Sequence, residues 1–309
     1  MGVFKNEVGR PSNETIKKRN IFKFLCFVLV VIILLLVAYI LNDKGLLNNN
    51  ETTTKKDITT TKVASEELDV NSDEVMKLYI PFSYYTHDAS AEELYKKDKV
   101  TPSDLSNEYK NRLAFAHYYS VVGHNNLYEG IYNEPGIDYD FLYLSSSTLE
   151  KYYKELFGKK EKYIPKDFSA YGFSTFLYYK EDKDIYYADQ NAGDYTGYRY
   201  ANEIYKVVKT GDKIEIYEYV VVYNEDYESK KTGVYKNIED ANNFQNAIKE
   251  EIINNDNRDQ IKKYKNTKIA GKYGYLDDLS DYKDEASKYK LTFEKEDNNY
   301  IFKSVEKID

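Results

Sequence analysis

Glu218 is the acidic residue whose position in the sequence points most directly to chemistry. It lies in residues 213–224, where strict alternation and a high content of β-branched residues predict a β-strand. A carboxyl buried on such a strand has a raised pKa and could act as an acid or a base in a pocket. Three ordinary alternatives are favoured instead: a β-bulge that turns the side chain outward, an edge position, or a lysine partner on a neighbouring strand. The residues that share the more apolar face of this strand with Glu218 are Ile214, Ile216, Val220 and Val222.

The three histidines, His87, His117 and His124, are the candidate metal ligands or bases. His117 and His124 are seven residues apart, so on one continuous helix they would share a face. Two imidazoles and a carboxylate such as Asp88 would suit zinc. Because Gly123 is expected to end that helix, the favoured interpretation is that His117 flanks an apolar helix face while the other two lie in loops.

Two acidic segments have some of the residues of a cation site. Residues 255–259 (NDNRD) are similar to the start of a calcium loop, but Gln260 replaces the glycine expected at position six, and Asn266 replaces the glutamate expected at position twelve. A second cluster, for which a capping or solvated role is favoured, consists of Asp277, Asp278 and Asp281.

The strong short motifs of catalysis are missing from the chain. The sequence contains none of HExxH, GxSxG, GxxxxGK[ST] and CxxC. The single cysteine, Cys26, lies in a long apolar segment, which excludes a disulfide within the chain and a thiol nucleophile in the polar part. The sequence therefore assigns no catalytic, cofactor-binding or metal-ligating residue, and it favours a protein that is not an enzyme.

The charge of the chain argues against nucleic acid as a partner. The formal net charge is −8, from 44 basic and 52 acidic residues. Phosphate backbones repel such a surface. The chain also has 35 tyrosines and no tryptophan. The tyrosines could form a carbohydrate-stacking surface, but the codon bias of an AT-rich genome and packing on strands are the favoured explanation.

Residues 21–41 (IFKFLCFVLVVIILLLVAYIL) predict one transmembrane helix. No charged side chain occurs from Phe24 to Leu41, and a helix of this length nearly crosses the hydrocarbon core. Residues 1–20 contain five basic residues, whereas the twenty residues after the segment contain three. This asymmetry places the N-terminus in the cytoplasm and makes the lipid bilayer the partner of residues 21–41, as a single-pass signal-anchor.

The flanks of this segment favour an uncleaved anchor over other ways of reaching the membrane. The apolar run is long for a signal peptide, and no small-residue cleavage site follows it. Cys26 stands at the wrong end of the run for a lipoprotein, and Asn6 replaces the Ser or Thr expected for myristoylation. The predicted organisation is a cytoplasmic tail (1–20), a membrane helix (21–41), a flexible Asn/Thr/Lys-rich spacer (42–72) and an extracytoplasmic domain (73–309).

Three helices are predicted in the domain. A capping box at residues 101–104 is followed by apolar residues at helical spacing to about Tyr119, and a second box at residues 147–150 is followed by a helix that ends at Gly158. Asn237 and Asp240 could cap a third helix, with apolar residues on one face as far as Ile252. Residues 75–82 (VMKLYIPF) are expected to be a strand or an extended entry segment.

Three hairpins complete the predicted fold. Their strands flank residues 181–184, residues 210–212 and residues 297–299, all rich in turn-forming residues. Helices followed by hairpins predict an α+β fold, with helices packed on a mostly antiparallel sheet.

Two segments carry a resemblance to known proteins: LEKYYKELFG at residues 149–158 and YKLTFEKEDNNYIFKSVEKI at residues 289–308. With the anchor and the spacer, they resemble uncharacterised anchored extracytoplasmic proteins of low-GC Gram-positive bacteria and their wall-less relatives. The closing hairpin is also similar in style to NTF2-like or cystatin-like domains, which implies a curved sheet packed on helices. The resemblance supplies no catalytic residues.

These observations predict a membrane-tethered extracytoplasmic domain that binds an unknown ligand at the cell envelope. An envelope protein or a surface polymer would be the partner. The alternative is an envelope hydrolase that uses an unrecognised carboxylate or histidine site. A signalling role would need a second protein, because about twenty cytoplasmic residues cannot form a kinase or a DNA-binding domain.

Overall fold

The computed structural model describes residues 64–83, 91–170, 175–189, 198–226, 230–252, 263–265 and 276–309. The predicted membrane anchor, His87, Asp88 and the segment similar to a calcium loop lie outside these residues. Within the described part, no helix is long and apolar enough to cross a membrane.

The described residues form five α-helices and fifteen β-strands. The helices are α1 (Asp73–Tyr79), α2 (Glu92–Tyr95), α3 (Asn107–Val122), α4 (Ser146–Phe157) and α5 (Ile238–Asn243). The strands are β1 (Ser65–Glu67), β2 (Lys99–Val100), β3 (Gly130–Tyr132), β4 (Phe141–Ser145), β5 (Phe168–Ala170), β6 (Thr175–Lys180), β7 (Ile185–Asp189), β8 (Tyr198–Thr210), β9 (Lys213–Asp226), β10 (Lys231–Tyr235), β11 (Lys249–Ile252), β12 (Tyr264–Lys265), β13 (Leu276–Asp277), β14 (Ser287–Glu296) and β15 (Asn299–Lys307).

The strands form two main antiparallel sheets, where the sequence predicted one. The large sheet has the order β1-β8-β9-β14-β15-β2, and β10 and β11 extend it beside the far end of β9. The small sheet has the order β3-β4-β7-β6-β5. Strands β12 and β13 form a separate pair. The predicted α+β class is therefore confirmed.

One apolar core joins α3 and α4 to both sheets. It includes Leu113 of α3 and Leu149 of α4, and it continues through Leu177 of the small sheet to Ile216 and Phe293 of the large sheet. A second, smaller cluster covers the opposite face of the large sheet, where the segment after β13 packs on β8, β9 and β10. The large sheet is thus covered on both faces near the C-terminal end of β9, which explains why residues 220–225 are buried without interruption.

Helices α3 and α4 confirm two of the predicted helices but begin elsewhere. The capping box of Thr101 and Asp104 is present, yet it caps the N-terminus of a 3-10 helix (Pro102–Asp104) rather than that of α3. The extended backbone of Leu105 ends that turn, and α3 begins after Ser106, whose side chain accepts a hydrogen bond from the Tyr109 amide. Helix α4 is capped by Ser145 rather than by Ser147. Gly158 ends α4 as predicted, with a φ of 88°.

Residues 75–82 are helical, so the predicted strand is wrong. Ser72 caps α1 through a hydrogen bond from the Val75 amide, and Asp73 and Glu74 place negative charge in its first turn. Pro81 then lies at the start of a 3-10 helix (Ile80–Phe82), a position that suits it. The β-branched and aromatic composition of this segment reflects burial in the core, not an extended backbone.

The third predicted helix is much shorter than expected. Asn237 caps α5 as predicted, but the helix ends at Asn243 because Phe244 adopts a left-handed conformation, with a φ of 51°. The chain then returns to the large sheet as β11, which pairs with β10. Tertiary pairing therefore overrides the helical spacing of the apolar residues after Phe244.

The three predicted hairpins are confirmed as the pairs β6–β7, β8–β9 and β14–β15. The sheet also begins earlier than the predicted domain boundary. Strand β1 precedes Asp73 in the chain and pairs with the end of β8. The residues of β1 therefore belong to the folded domain rather than to a spacer.

Candidate functional site

Glu218 is completely buried in the middle of the large sheet, with 0% of its surface exposed. Strand β9 lies between β8 and β14, and the residues opposite Glu218 are Ile204 and Tyr289. The inward orientation predicted from the alternation of β9 is therefore confirmed.

The three ordinary alternatives for Glu218 are wrong. A register shift does occur beside it, but the extra residue lies on β8, between Ile204 and Lys206, and leaves Glu218 facing inward. Strand β9 is an inner strand, so Glu218 is not at an edge. Its hydrogen-bond partners among the described residues are neutral side chains rather than a lysine.

Two side chains donate hydrogen bonds to the Glu218 carboxyl. The Tyr95 hydroxyl lies 3.0 Å from Oε1, and Nδ2 of Asn202 lies 3.0 Å from Oε2. The buried Tyr79 hydroxyl interacts with the same carboxyl, although its geometry falls short of a full hydrogen bond. Burial raises the pKa of Glu218 to about 7, and the interactions with Tyr79, Tyr95 and Asn202 oppose that rise. Burial and the nearby carboxylate also raise the pKa of Tyr95.

This arrangement can store a proton, but it cannot present one to a substrate in the described conformation. Glu218 has no exposed surface, and Tyr79 and Asn202 are themselves buried. Tyr95 is 123 residues from Glu218 in the chain, and no sequence pattern links the two. Asn202 carries the one sequence signal that could have been used, because it occupies an inward position on β8, opposite Val220.

The histidines do not form a metal site in the described part of the chain. Helix α3 ends at Val122, and Gly123, with a φ of 74°, separates it from a 3-10 turn that begins at His124. The continuous helix that would align His117 with His124 is therefore absent. Among the described residues, no group of three or more potential ligands is close enough to hold a metal ion.

His117 instead contributes to the packing of α3 against α4. Its Nε2 lies 3.4 Å from Oε2 of Glu155, and its ring meets the Tyr152 ring edge-on at 5.6 Å. The hydrogen bond with His117 lowers the pKa of the Glu155 carboxyl. The prediction that His117 flanks the apolar face of a helix is confirmed.

The acidic cluster after β12 has structural roles. Oδ1 of Asp277 is 3.0 Å from the Arg199 guanidinium. Asp278 accepts a hydrogen bond from the Ser280 amide at 3.0 Å, and Asp281 pairs with Lys263. The favoured capping and solvated roles are thus closer to the structure than a cation site, and Asp277 adds a buried ion pair.

The outer face of the small sheet carries a continuous set of aromatic side chains, which we call the aromatic face. Alternation along β4, β6 and β7 sends Leu144, Leu177 and Tyr186 into the core and their neighbours to the opposite side. Most of these neighbours are partly exposed. The members of the aromatic face are Tyr132, Phe141, Tyr143, Phe176, Tyr178 and Tyr187.

Tyr187 is the centre of the aromatic face. Its ring stacks on Tyr178 with centroids 5.4 Å apart and 26° between the planes. It also contacts the rings of Tyr132, at 5.4 Å, and Phe141, at 5.0 Å. Phe176 continues the row beyond Tyr178, at 4.6 Å. These contacts between neighbouring strands hold the rings in fixed positions.

Because Gly130 has no side chain, the ring of Tyr143 can lie across the edge strand β3. A β-carbon at this position would come within 2.9 Å of the Tyr143 ring. Tyr139, which is 55% exposed, packs on Phe141 with centroids 5.0 Å apart. The aromatic face therefore extends from β6 to the loop after β3.

Polar groups surround these rings. The Tyr132 hydroxyl donates to Glu134, which raises the pKa of the tyrosine, and Lys180 lies 2.9 Å from the same carboxylate. The loop at residues 133–140 has three acidic residues and no basic residue, and the turn at residues 181–184 has three acidic residues and one lysine. A ligand on this face would meet aromatic rings, hydroxyl groups and a negative rim.

The sequence predicts individual strands of the aromatic face, but it does not predict that these strands lie side by side in one sheet. The alternation of residues 172–180 and 184–188 predicts both strands of the β6–β7 hairpin, whereas the pairing of β4 with β7 joins residues 40 to 46 positions apart in the chain. The abundance of tyrosine is the available signal, although codon bias and packing on strands account for it equally well from the sequence alone. Comparison with protein families, curated proteins and solved structures finds no match for this chain.

Proposed function

We propose that this protein is a membrane-tethered extracytoplasmic binding domain and that its aromatic face binds a neutral polysaccharide of the cell envelope. Residues 21–41 would anchor it, with the N-terminus in the cytoplasm, as in the anchored extracytoplasmic proteins that the sequence resembles. A curved sheet, which the similarity of the closing hairpin to NTF2-like or cystatin-like domains implies, stays a prediction.

The row of rings centred on Tyr187 is the observation that carries the proposal. The C–H faces of sugar rings are apolar and flat, so they pack well on aromatic rings that are already held in place. Tyrosine hydroxyls and carboxylates such as Glu134 can bond the hydroxyl groups of a sugar. Tyr178 and Tyr187 contribute this large contact area with little loss of side-chain freedom.

The charge of the surface selects among envelope polymers. The negative rim and the net charge of −8 oppose a polyanion such as a phosphate-rich polymer. A neutral glycan avoids that repulsion, and its hydroxyl groups can donate hydrogen bonds to the carboxylates of the rim. We therefore infer that the polymer is uncharged.

The alternative function, an envelope hydrolase, stays a prediction without a supporting site. Glu218 is enclosed, and His117 is committed to a contact between helices. A hydrolase that used either residue would need a different conformation.

Titration of the full-length protein in detergent micelles with chitohexaose, a neutral glycan, tests the ligand. We expect saturable binding that Tyr187→Ala weakens by about tenfold or more. Tyr219→Ala is the matched control, because Tyr219 stacks on Tyr205 at 4.3 Å in the large sheet, away from the aromatic face. Equal affinity of the wild type and Tyr187→Ala, with unchanged circular dichroism, would contradict the proposal.

Protease added to intact cells tests the orientation separately. We expect cleavage of the domain at residues 64–309 and protection of a short N-terminal fragment. Protection of the whole domain would contradict the extracytoplasmic location, whatever the glycan titration shows.

A further inference from the structure

The ion pair between Glu134 and Lys180 lies across the aromatic face. Lys180 is on β6, three strands from β3 in the small sheet, a separation of about 14 Å. Alternation from Leu177, which points into the core, places Lys180 on the same side as Phe176 and Tyr178. Glu134 follows β3 by two residues, yet its Oε1 is 2.9 Å from Nζ of Lys180. The pair therefore spans β4 and β7, above their outward-facing side chains.

Tyr187 lies beside this ion pair. Burial and then the negative charge of Glu134 raise the pKa of Tyr187, whereas the positive charge of Lys180 opposes the rise, so both charges act on its hydroxyl. The ring of Tyr132 contacts that of Tyr187, and the Tyr132 hydroxyl donates to the Glu134 oxygen that Lys180 does not contact. One carboxylate and one ammonium group thus stand beside the central ring of the aromatic face.

Both charged groups keep hydrogen-bonding capacity for a ligand. The side chains of Glu134 and Lys180 are 21% and 32% exposed. Among the described residues, Tyr132 and Lys180 each donate one hydrogen bond to the carboxylate, which has about four acceptor sites. The ammonium group has three donors and gives one of them to Glu134. A ligand would therefore meet an acceptor and a donor side by side.

A vicinal diol, which is a pair of hydroxyl groups on adjacent carbons of a sugar ring, matches this arrangement. One hydroxyl group donates to the carboxylate, and its neighbour accepts from the ammonium group. The two oxygens of such a diol lie about one hydrogen-bond length apart, as do Oε1 of Glu134 and Nζ of Lys180, at 2.9 Å. Hydrogen bonds to charged groups are stronger than those between neutral groups, so this contact can discriminate between sugars.

We propose that the Glu134–Lys180 pair determines the specificity of the aromatic face and that it selects neutral glycans whose units keep a free vicinal diol. This selection rests on the glycan-binding function proposed above, and it narrows the ligand to polymers with two adjacent unsubstituted hydroxyl groups. Tyr187 supplies contact with the face of the sugar ring, which different hexoses share. The ion pair instead reads where the ring is substituted.

Two isomeric glucose hexamers test the selection. Cellohexaose is β-1,4-linked and keeps hydroxyl groups on C2 and C3 of every unit, whereas laminarihexaose is β-1,3-linked and has no free vicinal diol in its internal units. Titration of the full-length protein in detergent micelles should give a dissociation constant about tenfold lower for cellohexaose. Lys180→Met removes the donor and should reduce this preference to less than about twofold. Glu134→Ala, which removes the acceptor, should have the same effect.

Lys231→Met is the matched control for Lys180→Met. Lys231 forms a similar exposed ion pair, with Glu250 at 3.2 Å, between β10 and β11 of the large sheet. Because this pair is on the other sheet, the variant should retain the full preference for cellohexaose. Circular dichroism of each variant checks that it is folded.

Equal affinities of the wild type for the two hexamers, with Tyr187→Ala still weakening both, would overturn the selection but not the glycan-binding function. A preference that persists in both Lys180→Met and Glu134→Ala would also overturn it, because the shape of the glycan chain would then select the ligand. Absence of binding to both hexamers and to chitohexaose would overturn the selection together with the proposed function.

Discussion

Asn202 and Glu218 are hydrogen-bonded across the adjacent strands β8 and β9, with Nδ2 3.0 Å from Oε2. The contact holds a fully buried acid in place with a neutral donor, and the second donor, Tyr95, is also neutral. Neutral donors stabilise a carboxylate less than a cation does. The rise in the pKa of Glu218 caused by burial therefore exceeds the lowering caused by its hydrogen bonds, and folding favours the protonated form.

The pH dependence of stability should reveal this proton. Glu218 has a pKa of about 7 in the folded protein, against 4.5 for the ordinary group. Between these values the folded state binds the extra proton, so the free energy of unfolding should fall by about 3 kcal/mol as the pH rises from 4.5 to 7. The difference between wild type and Glu218→Gln, measured by urea unfolding across this range, isolates the effect. A difference that stays constant with pH would contradict it.

Removal of the Tyr95 hydroxyl should move this transition to higher pH. The hydrogen bond from Tyr95 lowers the pKa of Glu218, so Tyr95→Phe should raise that pKa further. The pH at which the stability stops falling, which reports the pKa of Glu218 in the folded protein, should then be higher. Tyr200→Phe is the control, because the Tyr200 ring packs on Tyr95 at 5.2 Å and makes no described hydrogen bond with Glu218. Equal midpoints for the two variants would count against the assigned hydrogen bond.

The N-cap of α4 can be tested by a pair of serine variants. Ser145 accepts a hydrogen bond from the Thr148 amide at 3.2 Å, whereas Ser147 lies exposed inside the first turn. Ser145→Ala should destabilise the protein by about 1 kcal/mol. Ser147→Ala should change the free energy of unfolding by less than about 0.5 kcal/mol. The reverse order would restore the cap predicted from the sequence.

Gly158 should be the less replaceable of two glycines with the same backbone conformation. Gly158 and Gly136 both have a φ of 88°. A β-carbon at Gly158 would come within 2.9 Å of the Ile301 side chain, whereas one at Gly136 would meet nothing within 4 Å. Both alanine variants should lose about 1 kcal/mol of unfolding free energy, because alanine disfavours the left-handed conformation. Thermal unfolding should therefore show a larger loss for Gly158→Ala, and equal losses would mean that Ile301 moves aside freely.

The sequence predicted those features that depend on neighbours along the chain. The β8–β9 hairpin follows from alternation around Gly211, whose φ is 58°, and the inward orientation of Glu218 follows from the same alternation. Gly158 could be placed because a C-terminal glycine is a local signal.

The errors arose where distant contacts decide the conformation. Val75 and Tyr79 favour a strand by composition, but α1 forms because their burial against the rest of the core outweighs that preference. Phe244 has helical spacing, yet the pairing of β11 with β10 ends the helix before it. The donors to Glu218 and the neighbours of Tyr187 come from segments whose meeting depends on the finished sheets, so their positions could not be read from the sequence.

Strand β1 has a mechanical consequence for a tethered protein. Any tension along the chain that precedes Ser65 reaches β1 before every other described element. Three residue pairs hold β1 to β8, against twelve pairs between β8 and β9, and all three β1 side chains are exposed. We therefore expect β1 to detach at the lowest force. The load would then pass to α1, whose Met76 and Tyr79 line a cavity of about 100 Å³ beside β8, so pulling on the tether would deform that cavity before it disturbed the aromatic face.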